Sequence, residues 1–198
     1  MSLTIGILMF DDVEELDFAG PWEVFSYAFK DTPENSVFTV SETGDVVTCA
    51  KGLRVLPDHS FKSAPAPDVI LVPGGQGTRK EVNNPNVIDW IKNTAASCTW
   101  VTSVCTGALL LHEAGLVTGK RVTTYWGFVD ALRERGNVTV LDDVRYVRDG
   151  NVVTSAGVSA GIDMSLWLLG QLIDEDFARQ TQKGIEYFPA PPYPASVS

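Results

Sequence analysis

Along this chain, short apolar runs alternate with longer segments whose apolar residues recur every three or four positions. Residues 4–10 (Thr4-Ile5-Gly6-Ile7-Leu8-Met9-Phe10) form an apolar run of strand length. Residues 21–30 suit a helix with Pro21 at its first position, where a missing N–H costs nothing. Short strands are expected over 37–40, 46–50 and 53–57. Asp68-Val69-Ile70-Leu71-Val72 reads as a buried strand stopped by Pro73-Gly74-Gly75. A helix over 85–97 opens with Asn84-Pro85, and a β-branched strand follows over 99–104. An apolar helix over 106–114 is closed by Gly115. A short strand over 121–124 precedes a helix around 128–135. Strands over 145–148 and 152–155 flank Asp149-Gly150, a pair that favours hairpin turns. A buried helix over 159–173, a last helix over 176–186 and a proline-rich tail over 189–194 complete the pattern.

Strands alternating with helices of this length predict an α/β fold, a mostly parallel central sheet sandwiched by helices. There is no internal repeat and no linker-like stretch, so residues 1–198 are expected to form a single domain.

Composition narrows the functional classes. No stretch reaches the ~18 consecutive apolar residues that a membrane helix needs. The first apolar run has no basic segment before it and no small-residue cleavage site after it. It therefore reads as a core strand rather than a signal peptide, and a cytoplasmic location is expected. The net charge of −10 disfavours a nucleic-acid partner, whose phosphates call for a basic face. In that compartment Cys49, Cys98 and Cys105 are expected to be reduced. With only His59 and His112, and no CxxC or HExxH spacing, no metal site is expected.

Open α/β sheets bind ligands at the carboxyl ends of their strands. Two strong strands end in residues suited to chemistry. After 68–72, Gly74 and Gly75 let backbone N–H groups face a cavity. After 99–104, Cys105 alone separates strand from helix, in Val104-Cys105-Thr106-Gly107. A thiol there meets the helix N-terminus, whose dipole and free N–H groups favour thiolate. The N–H groups of Gly75 and Thr106 are candidates for holding a developing negative charge. The same position also suits a small buried residue packing a tight turn. Cys49 and Cys98 lie away from any strand's carboxyl end. His112 is two helical turns beyond the elbow and His59 lies in a turn-like segment, so neither is an evident base. Asp17, among apolar neighbours after the first strand, is the better partner: partial desolvation would raise its pKa until it shares a proton with the sulfur. It also suits an ordinary acid near a helix start.

Taken together, these residues resemble the DJ-1/PfpI (ThiJ/PfpI) superfamily, the cysteine branch of the class I glutamine amidotransferase-like, flavodoxin-like fold. The motifs are Asp17 to Pro21, Val72-Pro73-Gly74-Gly75, the elbow, Gly115-Leu116 through Gly119-Lys120 to Thr123-Thr124-Tyr125-Trp126, and Ser155 to Asp163. Within that superfamily they are most similar to isonitrile hydratases and to sensor domains fused to AraC-type regulators. Thr106 stands where PfpI-type peptidases carry histidine, which argues against a peptidase. Neither histidine falls where an amidotransferase triad needs one, and Tyr125 occupies a position that is often histidine in relatives.

The resemblance implies an isonitrile hydratase-like lyase, in which Cys105 attacks the isonitrile carbon, Asp17 transfers protons and Thr106 helps place water. That chemistry needs no cofactor, and its partner is a small-molecule substrate. Trp22, Tyr125, Trp126 and the tail tyrosines Tyr187 and Tyr193 are candidates for an apolar pocket wall, although each also suits core packing. The alternatives are a stand-alone ligand- or redox-sensing module and a cysteine hydrolase or glyoxalase-type relative. The resemblance further implies a homodimer.

Overall fold

The structure, a computed structural model, describes residues 2–190; residues 191–198, with most of the expected proline-rich tail and Tyr193, lie outside it. The chain opens with β1 (Thr4–Leu8), α1 (Glu15–Phe29), β2 (Ser36–Ser41), β3 (Val47–Thr48), β4 (Arg54–Val55) and β5 (His59–Ser60). It continues through β6 (Val69–Val72), α2 (Thr78–Glu81), α3 (Pro85–Ala95), β7 (Trp100–Val104) and α4 (Gly107–Glu113). The last third holds β8 (Arg121–Val122), α5 (Val129–Glu134), β9 (Thr139–Val140), β10 (Tyr146–Asp149), β11 (Val152–Ser155), α6 (Ala160–Leu172) and α7 (Glu175–Gly184).

The central sheet has seven strands in the order β10-β11-β7-β6-β1-β2-β5, parallel throughout except for β10 against β11. The Val-Ile-Leu-Val run of β6 is entirely buried, as a strand covered on both faces must be. Helices flank this sheet: α1, α6 and α7 pack on one another, while α3 and α4 pack together against β6. In register, Ile7 sits beside Leu71, Val72 beside Ser103, and Val104 beside Ser155. The carboxyl ends of β1, β6, β7 and β11 therefore emerge side by side, and the chain leaves each of them toward one place.

Two local expectations are corrected. The first helix begins at Glu15, so Pro21 lies inside it rather than at its start. An interior proline costs a helix about 3 kcal/mol. The same helix buries Phe18, Val24, Phe25 and Phe29, each contributing about 1.5–3 kcal/mol, so packing outweighs the lost hydrogen bond. Asp17 consequently sits in the first turn of α1, not in a loop before it. In the hairpin, Asp149 pairs with Val152 inside the ladder, and Gly150-Asn151 form the turn. Gly150 takes φ +65° as the first turn residue, where an Asp-Gly turn would make it the second.

The contact between β6 and the start of α4 depends on Gly107. A Cβ there would lie 2.0 Å from the carbonyl oxygen of Val72, a backbone atom fixed by the sheet. Gly107→Ala is expected to lower the urea midpoint at unchanged slope, by about 3 kcal/mol at the upper end of overpacking costs. An unchanged midpoint would show that the strand end yields freely.

Candidate active site

The loop after β1 folds back onto the chain that leaves β6. Val13 bridges to Gly75, and the Glu14 N–H donates to the Gly74 carbonyl at 3.0 Å. Gly75 has φ +117°, and a Cβ on it would lie 2.4 Å from the Asp12 oxygen and the Glu14 nitrogen, so only glycine permits this approach. The result brings Asp17 to Gly74. One carboxyl oxygen of Asp17 accepts from the Gly74 N–H at 2.9 Å, and the other accepts from the Val158 N–H at 3.1 Å. Val158 lies just beyond β11 with φ +55°, an uncommon conformation for a β-branched residue.

Cys105 follows β7 directly and also has a positive φ, +56°. Its conformation is held from three sides: its N–H donates to the carbonyls of Ser155 (3.1 Å) and Ala156 (3.2 Å), and the Thr124 hydroxyl donates to its own carbonyl at 2.7 Å. Left-handed backbone at a reactive residue is strain that its surroundings must over-determine, and here they do.

Asp17 is 0% exposed, and burial raises its pKa from 3.8 to about 7 despite the two N–H bonds that favour its charged form. Cys105 is 6% exposed. Burial and the adjacent Asp17 charge push its thiol up to about 12, although the Thr106 N–H and hydroxyl act in the opposite direction. The carboxyl and the thiol influence each other's ionisation, the Asp17 charge raising the pKa of the Cys105 thiol. This corrects the expectation of a resting thiolate at a helix N-terminus: desolvation outweighs the local donors, so the sulfur keeps its proton and Asp17 titrates first.

The Thr106 hydroxyl gathers the surrounding polar groups. It lies 3.1 Å from the Thr78 hydroxyl, accepts from the Gly75 N–H at 3.1 Å, and receives Arg79 Nη1 at 3.3 Å. The Gly75 N–H, expected to face a substrate, is thus committed to Thr106. A cavity of about 290 Å³ opens here, lined by Cys105, Thr106, Gly75, Tyr125 and Val158, with Glu14, Lys51, Gln76 and Arg79 completing its wall.

Of the expected pocket aromatics among the described residues, Tyr125 lines this cavity, and Tyr187 lies instead in a groove between α6 and α7. Trp22 is 42% exposed on α1 and Trp126 is 79% exposed, and neither lines it. His112 contacts the Gly136 carbonyl at 2.9 Å, and His59 packs edge-on against Phe38. Cys49 and Cys98 are buried and unpaired, with thiols pushed up to about 11 by burial. No cluster of three or more His, Cys, Asp or Glu side chains suited to a metal occurs among the described residues. Sequence reasoning missed Arg79 and Lys51, which reach the cavity only through a four-residue helix and a hairpin tip; no motif marked either. A larger groove of about 500 Å³ between α6 and α7 contains no nucleophile, and its charged side chains pair with one another.

A mostly parallel sheet with a buried acid and a thiol at its strand ends defines a class of α/β proteins built around a cysteine on a strand-to-helix turn. The chain belongs to the DJ-1/PfpI family, whose sequence model matches residues 4–171. Isonitrile hydratase from Pseudomonas putida is 42% identical over 193 residues, 98% of this chain and 82% of that protein. The HTH-type transcriptional regulator GbdR from Pseudomonas aeruginosa is 32% identical over 133 residues, 67% of this chain and 36% of the regulator. The crystal structure of a ThiJ/PfpI family protein from Pseudomonas syringae matches with a TM-score of 0.89 at 31% identity, covering 99% of this chain and 79% of that one. Drosophila melanogaster DJ-1beta shares the fold, with a TM-score of 0.84 at 23% identity over 96% and 100% of the two chains. No helix among the described residues is long and apolar enough to cross a membrane.

The Asp17 shift has a measurable sign. Its folded pKa exceeds the unfolded value, so across the interval from 3.8 to about 7 the folded state holds a proton that the unfolded chain releases. The stability this confers is complete below the interval and is lost as pH rises through it. The difference in urea midpoint between the wild type and Asp17→Asn is expected to shift against the wild type from about pH 4 to pH 7, then level off. Parallel pH curves would remove the assignment.

Proposed function

We propose that this protein is a cysteine-dependent isonitrile hydratase, which adds water to R–N≡C to give R–NH–CHO. The observation that carries the reading is the Asp17–Cys105 pair beside a small cavity, in a chain 42% identical to a hydratase along nearly its whole length. The terminal carbon of an isonitrile accepts a soft nucleophile and then a proton. Asp17 takes the thiol proton as the Cys105 sulfur bonds to that carbon, and delivers it to the same carbon. The product is a thioimidate, R–N=CH–S. Asp17, ionised again, removes a proton from water as the water oxygen adds to the carbon. Asp17 passes that proton to the nitrogen; as the C–S bond breaks, the remaining hydroxyl proton returns to the sulfur, and the formamide leaves with the thiol restored. A carboxyl with a pKa of about 7 is suited to both directions of transfer near neutral pH. The Thr106 N–H, which favours the ionised sulfur, steadies it as charge develops.

The same burial weighs against a redox sensor, the second functional class. Oxidation by peroxide proceeds through thiolate at an accessible sulfur. Cys105 is 6% exposed and its thiol is pushed up to about 12. We further propose a homodimer, whose contact would cover apolar surface of the kind that Trp22 and Trp126 expose.

The reading is tested with a simple alkyl isonitrile, following formamide by NMR. Turnover is expected in the wild type, with kcat/KM rising to a plateau as Asp17 ionises near pH 7. Cys105→Ala is expected to abolish it, and Asp17→Asn to reduce kcat by about 10²–10⁴. Retained turnover in Cys105→Ala would exclude the covalent route. Sedimentation equilibrium at micromolar concentration is expected to return twice the chain mass; the single-chain mass would refute the dimer.

A further inference from the structure

The cavity beside Cys105 holds a positive charge that the protein does not neutralise. We propose that this charge, on Arg79, receives an anionic group of the substrate, in the simplest case a carboxylate, so that the enzyme acts on isonitriles bearing one. The reactive group rests on the hydratase reading; the anion rests on the geometry of Arg79.

Arg79 is fixed in place. Its Nη1 reaches the Gly75 carbonyl at 2.9 Å, the Thr78 hydroxyl at 3.0 Å and the Thr106 hydroxyl at 3.3 Å, and its guanidinium lies 4.8 Å from the centre of the Phe128 ring. Those contacts occupy the two hydrogens of Nη1. Nε and Nη2 carry the three remaining donors of the guanidinium fork, and among the described residues they have no acceptor. No carboxylate pairs with Arg79 among the described residues either, although the chain has 25 acidic residues against 15 Lys and Arg.

The nearby acids are otherwise engaged. Glu14, on the same cavity wall, pairs with Lys51. Asp17 is fully buried and bound by Gly74 and Val158. Arg79 is exposed at the cavity edge, and a guanidinium held over an aromatic ring with N–H groups left free has the geometry that binds carboxylate in bidentate fashion. It reaches the hydroxyl of the residue next to the nucleophile, so an anion held there would share the cavity with the reacting carbon.

Alkylation of the sulfur tests the charge without relying on hydratase activity. Iodoacetate and iodoacetamide present the same carbon: the S–C bond forms, the C–I bond breaks, and iodide and the thiol proton leave. They differ in the charge beside that carbon. The ratio of their rates at Cys105, read by peptide mass spectrometry and divided by the same ratio for glutathione, is expected to favour iodoacetate about tenfold. It is expected to fall to about one in Arg79→Met and to be intermediate in Arg79→Lys, because lysine keeps the charge and loses the fork. A general disturbance of the Thr106 network cancels in the ratio. A ratio that Arg79→Met leaves unchanged would overturn the proposal.

An isonitrile carboxylate compared with its methyl ester then tests the substrate. A kcat/KM about tenfold higher for the acid supports the assignment, and equal values overturn it. If neither compound turns over while the alkylation preference persists, the hydratase reading fails and the anion site stands.

Discussion

The arrangement depends on one ionisable carboxyl held out of water. Asp17 is fully buried, and its two oxygens are met by backbone N–H groups of Gly74 and Val158, which follow two different strands. Burial alone would drive such a group far toward its neutral form, while two N–H donors alone would hold it as the anion. The balance leaves it near neutrality, at about 7. A carboxyl poised there can accept and return a proton at physiological pH, which an exposed aspartate cannot do efficiently. The close packing of the first loop on Gly74 and Gly75 exists in the service of this balance.

The sulfur is governed by the same environment with a different outcome. The Thr106 N–H and hydroxyl favour the ionised form of Cys105, but the surrounding protein and the neighbouring negative charge prevail, and the thiol retains its proton. On the proposed route a nucleophile appears only as Asp17 removes the proton, so attack and proton transfer become one event, confined to electrophiles that enter the cavity.

Much of this was legible in the linear chain. The Val-Ile-Leu-Val run before Pro73-Gly74-Gly75 and the single residue between Val104 and Thr106 mark two adjacent strand ends, and they proved to be neighbours in the sheet. The start of the first helix was not legible, because a proline usually opens a helix and only the buried aromatic residues around Pro21 override that preference. The ionisation of Cys105 was misjudged for a related reason: the helix start is local and visible, whereas depth of burial belongs to the assembled fold. Arg79 escaped notice because an arginine in a short polar segment looks like any solvated cation. Its distinguishing feature, the lack of a carboxylate partner among the described residues, is a property of what surrounds it in space. Val158 likewise carries no mark in sequence, since a valine gives no warning of left-handed backbone.

The hydrogen bond from the Val158 N–H to Asp17 joins residues 141 positions apart. With Gly74 and Cys105 between them in sequence, the candidate site draws on residues 17 to 158 of the 198 in the chain. No fragment that contains the elbow alone can possess it, and a nascent chain acquires it only after β11 has docked beside β7. Until that docking the Asp17 carboxyl lacks one of the two N–H groups that hold it in the finished fold.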